Sequence, residues 1–274
     1  MKFMKGIIIM QKLRTYYVAL EITTVCTLKC KLCSACIPYF KEQSHFNTDE
    51  VLKSVDKLFN IYEYIEKLDI SGGETLTHPD LIKILKKVYE YKENIGFIRI
   101  ITNGTIVPSE ELIKLLASDE KFILILDDYG ELSKNKNKVL KLVEENNINL
   151  KLNIYQGNDQ LCGGWVDYGD FEKRNYTELE TKKLFRNCFA ANWMCLTVVK
   201  GKLYQCIRSA MGVELGFFNE RETGFVNLLD DSISTDKKIE MAACFGKQPV
   251  EACYYCNSFD SENSERFPAA EQVK

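Results

Sequence analysis

Histidine is nearly missing from this chain: among 274 residues, only His45 and His78 carry an imidazole. Metal sites built on paired histidines are thereby all but excluded, and nucleophilic catalysis that relies on a histidine base is poorly served. Long apolar runs are missing too. No stretch approaches the roughly 20 residues that span a bilayer. At the start, MKFMKGIIIMQKLR, the apolar part is Gly6 to Met10, too short for a signal peptide and followed by no small-residue cleavage site. There is no stripe of lysine and arginine, and the formal net charge is −3, which speaks against a nucleic-acid partner. No internal repeat or low-complexity tract is apparent. These absences predict a cytoplasmic globular protein that binds neither membrane nor nucleic acid.

Cysteine, by contrast, is abundant, with 11 residues. In a reducing compartment they do not read as a disulfide framework, and metal binding becomes the leading use. The stretch EITTVCTLKCKLCSAC, Glu21 to Cys36, sets Cys26, Cys30 and Cys33 in a C-x3-C-x2-C pattern. Soft thiolates suit iron–sulfur clusters or zinc. Three of them on one loop can hold three corners of an iron–sulfur cube and leave one iron open. With Cys36 as fourth ligand, the same loop would close a structural zinc site.

The pattern along the chain predicts alternating strands and helices. Strands are expected at Tyr16 to Thr23, Ile65 to Ile70, Phe97 to Ile101, Phe122 to Leu126 and Asn149 to Tyr155. Between them lie helical faces such as Val51, Val55, Leu58 and Phe59, or Leu81, Ile84, Leu85 and Val88, with Asn47/Glu50 and Thr77/Asp80 as caps. Such alternation is the mark of an α/β fold with a parallel sheet covered by helices. The expected architecture is a partial TIM-like (β/α) barrel of five to six parallel strands. The cysteine loop, Gly72-Gly73-Glu74, Thr102-Asn103-Gly104 and Asp127-Asp128-Tyr129-Gly130 each follow a strand directly. Right-handed crossovers bring all four to the C-terminal edge, where such folds keep their sites. Asp127 and Asp128 read equally as cofactor contact or strand-end turn.

Residues 156–185 carry several glycines with Trp165 and Tyr168 and show no clear period, as in a linker or a loop covering the site. Cysteines then return at Cys188, Cys195, Cys206, Cys244, Cys253 and Cys256. Leu196 to Val199 and Leu203 to Gln205 form a predicted hairpin across Lys200-Gly201-Lys202. The division expected is 1–155 as core, 156–185 as linker or site-covering loop, 186–260 as a small cluster-binding domain of hairpin and helix, and 261–274 as tail. A hairpin followed by C-x2-C is also what a zinc ribbon looks like. Cys36, Cys162, Cys195 and Cys244 are surplus, by default small buried hydrophobes; Cys162, in the glycine-rich stretch, is also a candidate catalytic thiol. Arg208 reads as an exposed surface arginine, with contact to an anionic substrate as the alternative.

Cys26-x3-Cys30-x2-Cys33 after strand one, GGE after strand two and TNG after strand three together resemble the radical S-adenosylmethionine (SAM) enzymes. The resemblance covers roughly residues 15 to 155. It implies that Cys26, Cys30 and Cys33 ligate a [4Fe–4S] cluster whose open iron chelates SAM. Gly72, Gly73 and Glu74 would then line the methionine amino group, with Asn103 and Asp127 on the cofactor wall. Leu32 stands where the family commonly has an aromatic residue, and Thr75 where a proline usually follows GGE. Cys188, Gly201, Cys206, Cys253 and Cys256 resemble a twitch domain, the shorter form of a SPASM extension, which implies an auxiliary [4Fe–4S] cluster and hence two clusters in all. The overall plan resembles that of the twitch-type dehydrogenases of 2-deoxy-scyllo-inosamine.

That resemblance implies hydrogen abstraction and oxidation of a small molecule, with a ferredoxin or flavodoxin as electron donor. Peptide maturation by cross-linking or epimerisation is the alternative within the family, with a peptide as substrate. A non-catalytic double-zinc interaction module is the rival from another class.

Overall fold

Polar and apolar residues alternate along the inner strands, and that alternation builds both the core and the site. The structure, a computed structural model, describes residues 11–157, 160–219 and 223–273; the run Gly6 to Met10 lies outside them. The first half runs β1 (Leu13–Thr23), α1 (Thr48–Ile61), β2 (Tyr62–Gly72), α2 (Leu81–Tyr89), β3 (Ile95–Thr102), α3 (Glu110–Leu116), β4 (Phe122–Asp128), α4 (Lys136–Glu145) and β5 (Asn149–Ile154). All five predicted strands are present, most of them longer than expected. Val18, Leu20 and Ile22 of β1 are buried against the helices. Tyr17, Ala19 and Glu21, on the opposite side, face a cavity. Ser71, Arg99, Asn103 and Asp127 likewise line that cavity from the neighbouring strands.

The helical faces are as predicted. Leu81, Ile84, Leu85 and Val88 of α2 are all buried, as are Val51, Val55, Leu58 and Phe59 of α1, each fully buried Leu or Ile contributing about 1.5–3 kcal/mol. Asn47 caps α1 by accepting from the Glu50 amide. At α2 the cap is different from the expected Thr77/Asp80 pair. The Asp80 amide donates to His78 Nδ1 at 3.1 Å, and the Thr77 hydroxyl turns back to the Glu74 carbonyl.

The second half contains more structure than its sequence pattern suggests. Helix α5 (Glu178–Asn187) starts inside the stretch without period, behind a full capping box of Thr177 and Glu180. There follow α6 (Phe189–Asn192), β6 (Cys195–Val199), β7 (Lys202–Tyr204), α7 (Ile207–Glu214), β8 (Phe225–Asn227) and α8 (Thr235–Ala242). The β6–β7 hairpin lies where it was expected, but β6 also pairs in parallel with β1, Tyr17 opposite Cys195. Among the described residues the eight strands form one sheet in the order β5-β4-β3-β2-β1-β6-β7-β8. Pairing is parallel from β5 to β6 and antiparallel beyond. The sheet does not close: it is a partial TIM-like barrel. Among the described residues no helix is long and apolar enough to cross a membrane.

Candidate active site

The cysteine loop is seated by the two motifs beside it. The amides of Gly73 and Glu74 donate to the carbonyls of Thr23 and Val25, each at 2.8 Å. This pins the end of β1 to the end of β2 just before Cys26. A Cβ on Gly73 would lie 2.2 Å from the Val25 oxygen, and one on Gly72, whose φ is +148°, 2.3 Å from the Thr23 oxygen. Only glycine permits that approach.

Glu74 is not on the cavity wall. Its carboxylate turns inward and accepts from the Leu76 amide (3.1 Å) and the Asn103 amide (2.8 Å), which ties the end of β2 to that of β3. Burial holds its carboxyl up at about 6. Asn103 continues the brace: its Nδ2 donates to Thr27 Oγ1 at 3.1 Å, and its Oδ1 accepts from the Thr105 amide and hydroxyl.

Above this frame lies a cavity of about 630 Å³. Cys26, Cys30, Cys33, Gly72, Gly73, Asn103 and Asp127 all line it, so the structure brings together every predicted site residue of the first half except Glu74. Asp127 and Asp128 face different ways. Asp127 faces the cavity, accepts from Asn153 Nδ2 at 2.8 Å, and is pushed by burial up to about 6. Asp128 holds the turn, paired with Lys136 at 2.8 Å and accepting from the Gly130 amide and Gln156. Of the surplus cysteines, Cys195 lines the cavity. Cys162 is exposed, and the wall formed by the described residues does not include it. Cys36 is buried in the apolar core.

Glu21 is a wall residue that sequence reasoning passed over, although a single carboxylate inside the apolar run of β1 is a visible signal. One oxygen accepts from the Ser71 hydroxyl at 2.9 Å; the other is buried without a partner. Burial raises its carboxyl from an ordinary 4.5 to about 7. The folded state therefore keeps a proton that the unfolded chain releases. Stability from this group is complete below about pH 4.5 and lost as pH rises through about 7. Glu21→Gln is expected to stabilise the ligand-free protein at pH 8 by up to about 3 kcal/mol, seen as a higher melting temperature, and to leave it unchanged near pH 4. Thermal melts at the two pH values check this.

The three loop thiols fit a multi-iron centre. Burial pushes Cys26 to about 11 and Cys30 to about 12, and also raises Cys33. Such thiols become good ligands when a cationic centre displaces their protons. Among the described residues no three His, Cys, Asp or Glu side chains are gathered tightly enough to hold one metal ion.

The second cysteine set, Cys188, Cys206, Cys253 and Cys256, does not line the cavity. Cys206 caps α7, its sulfur accepting from the Ser209 amide at 3.4 Å, and Cys256 accepts from Ser258 at 3.3 Å. After burial, the charges of Cys253, Cys188 and Cys256 each push the Cys206 thiol further up, so the four thiols share one locality. Tyr168 lines the cavity and is also close to Cys256, Cys188, Cys195 and Cys206. Arg208 is not exposed. It is 6% accessible, lies 3.4 Å over the Phe171 ring and donates to the Gly169 carbonyl at 2.7 Å, and its charge partly offsets the burial that raises the Cys256 thiol. It belongs to the packing behind this set.

A parallel-strand barrel, a three-cysteine loop and a glycine-braced cavity define a class of enzyme, and comparison with known proteins identifies the class. The family model described as "Radical SAM superfamily" matches residues 20–158, and the chain belongs to that superfamily. The family implies a [4Fe–4S] cluster and SAM as cofactors. Curated relatives include the GTP 3′,8-cyclase of Campylobacter jejuni subsp. doylei, 34% identical over 93 residues, covering 32% of this chain and 27% of that one. The AdoMet-dependent heme synthase of Methanosarcina barkeri is 32% identical over 102 residues, covering 37% and 28%. These matches thus span little more than a quarter of either relative. Among solved structures, BtrN in complex with AdoMet and 2-DOIA superposes with a TM-score of 0.58 at 16% identity, over 94% of this chain and 99% of that one. Native anSMEcpe with bound AdoMet gives 0.51 at 15% identity, over 84% and 83%. Both likenesses concern the fold.

Proposed function

We propose that this chain is a radical SAM dehydrogenase of a small polar molecule, working between two [4Fe–4S] clusters. Cys26, Cys30 and Cys33 hold the first cluster; Gly72, Gly73, Asn103 and Asp127 form the SAM wall, with Glu74 bracing it from behind. Cys188, Cys206, Cys253 and Cys256 hold the second cluster, within a twitch-type unit at 186–260 that follows the core (1–155) and covering segment (156–185) and precedes the tail (261–274). When bound, the first cluster supplies the electron that cleaves SAM to methionine and a 5′-deoxyadenosyl radical. A ferredoxin or flavodoxin is the proposed electron donor, and the cysteine content supports a reducing, cytoplasmic setting.

The observation that carries this reading is that Tyr168 lines the same cavity as Cys26, Cys30 and Cys33 and is also close to Cys188, Cys206 and Cys256. A substrate in that cavity lies within reach of both the radical source and an electron acceptor. That arrangement serves removal of a hydrogen atom followed by an electron and a proton. A cavity of about 630 Å³ shared with SAM favours a small substrate. The unpartnered oxygen of Glu21 favours one that brings a hydroxyl or ammonium donor.

Product analysis with aminocyclitols and related amino alcohols in deuterated buffer tests the reading. Loss of two hydrogens with no solvent deuterium in the product is expected. Deuterium incorporation at unchanged oxidation level would replace dehydrogenation with epimerisation.

A further inference from the structure

The C-terminal tail returns to the cysteine loop and closes its outer side. Trp165 and Phe267 exchange backbone hydrogen bonds at 2.8 Å in both directions. Ala270, 2% accessible, then packs with Leu28 and Cys30. The Lys31 amide donates to the Glu271 carbonyl at 2.7 Å, and the Val273 amide to the Lys29 carbonyl at 2.8 Å. Between these ladder bonds, the Gln272 side chain reaches the loop.

Its amide orientation is set by its neighbours. Gln272 Oε1 accepts from the Lys29 amide at 2.8 Å, while Nε2 donates to the Ala270 carbonyl at 2.7 Å and to Cys30 Sγ at 3.3 Å. A flipped amide would set oxygen against oxygen at Ala270 and N–H against N–H at Lys29. Both protons of the amide are therefore committed, one of them to sulfur. Gln272 is not part of the cavity wall. Any influence it has on the chemistry passes through Cys30.

We propose that Gln272 is a positioning residue that sets the reduction potential of the cluster on this loop. The inference rests on the assignment of that cluster to Cys26, Cys30 and Cys33. An N–H donor to a ligating sulfur stabilises negative charge, and the reduced cluster carries one more negative charge than the oxidised form. The bond therefore favours reduction and raises the potential. It also fixes the Cys30 sulfur from outside the cavity, leaving the inner side to SAM and substrate.

The test is a redox titration of the anaerobically reconstituted holoprotein, followed by low-temperature electron paramagnetic resonance. Only the signal that changes when SAM is added is read. Gln272→Met keeps the length without the donor; its midpoint is expected to shift to more negative potential at unchanged iron content. Gln272→Glu retains the acceptor for Lys29 and adds charge beside the sulfur, so its shift is expected to be larger in the same direction. Midpoints equal to wild type in both variants at full iron content overturn the proposal. Failure of both to assemble a cluster overturns it as well, since the tail is then a scaffold rather than a tuner. A SAM-responsive signal that survives replacement of Cys26, Cys30 and Cys33 would instead overturn the ligand assignment.

Discussion

Replacing Cys26, Cys30 and Cys33 together with alanine is expected to halve the iron of the reconstituted protein, from about eight to about four per chain, and to abolish formation of 5′-deoxyadenosine. The three thiols line the cavity together, whereas Cys188, Cys206, Cys253 and Cys256 do not line it. Removing the first set therefore leaves the second chemically intact. The loop itself should keep its course, because its seat depends on backbone bonds from Gly73, Glu74 and Cys36 rather than on the thiols. Iron and sulfide analysis with chromatography of the nucleoside products checks both halves of this expectation. Persistence of deoxyadenosine at the wild-type rate would mean that SAM is cleaved elsewhere.

Gly73→Ala is expected to lower SAM cleavage about 100-fold although it removes no ligand. The new methyl group would lie 2.2 Å from the Val25 oxygen and 2.6 Å from its carbonyl carbon. Strand β1 must then back away from β2 just before Cys26. Overpacking of this kind costs about 1–3 kcal/mol, and a displacement of about 1 Å at a catalytic frame costs about 10²-fold in rate. Gly96→Ala is the control. Its Cβ presses on the Glu66 oxygen at 2.5 Å, a comparable insult at the start of β3, away from the cysteine loop. It should lower the melting temperature while SAM cleavage per folded cluster stays near wild type. Equal losses of cleavage in the two variants would show that Gly73 matters only for stability.

The first half of the fold was legible because its information is local. Apolar strands, helical faces and four polar clusters placed directly after strands required nothing beyond nearest-neighbour pattern. Helix α5 was legible in principle from Thr177 and Glu180, but the glycines ahead of it masked the period. The parallel pairing of β6 with β1 is a long-range contact, which no local pattern carries, and it makes the predicted hairpin an extension of the core sheet. Within the site, Cys26, Cys30, Cys33, Gly72, Gly73, Asn103 and Asp127 were found by motif and meet on one wall. Glu74 belongs to the same motif, yet its carboxylate serves the backbone of Leu76 and Asn103. A motif tells which residues occur together, and the orientation of each side chain comes from the hydrogen bonds it must satisfy. Gln272 shows the limit most plainly: a glutamine in a polar tail carries no signal until folding sets it against Cys30.

The most direct measurement is electron paramagnetic resonance of the reduced, anaerobically prepared wild-type protein, with and without SAM, combined with metal analysis of the same sample. The predicted result is a brown protein with about eight irons per chain and two [4Fe–4S] signals, of which one changes when SAM is added. A colourless protein holding two zinc ions per chain and giving no signal would contradict it.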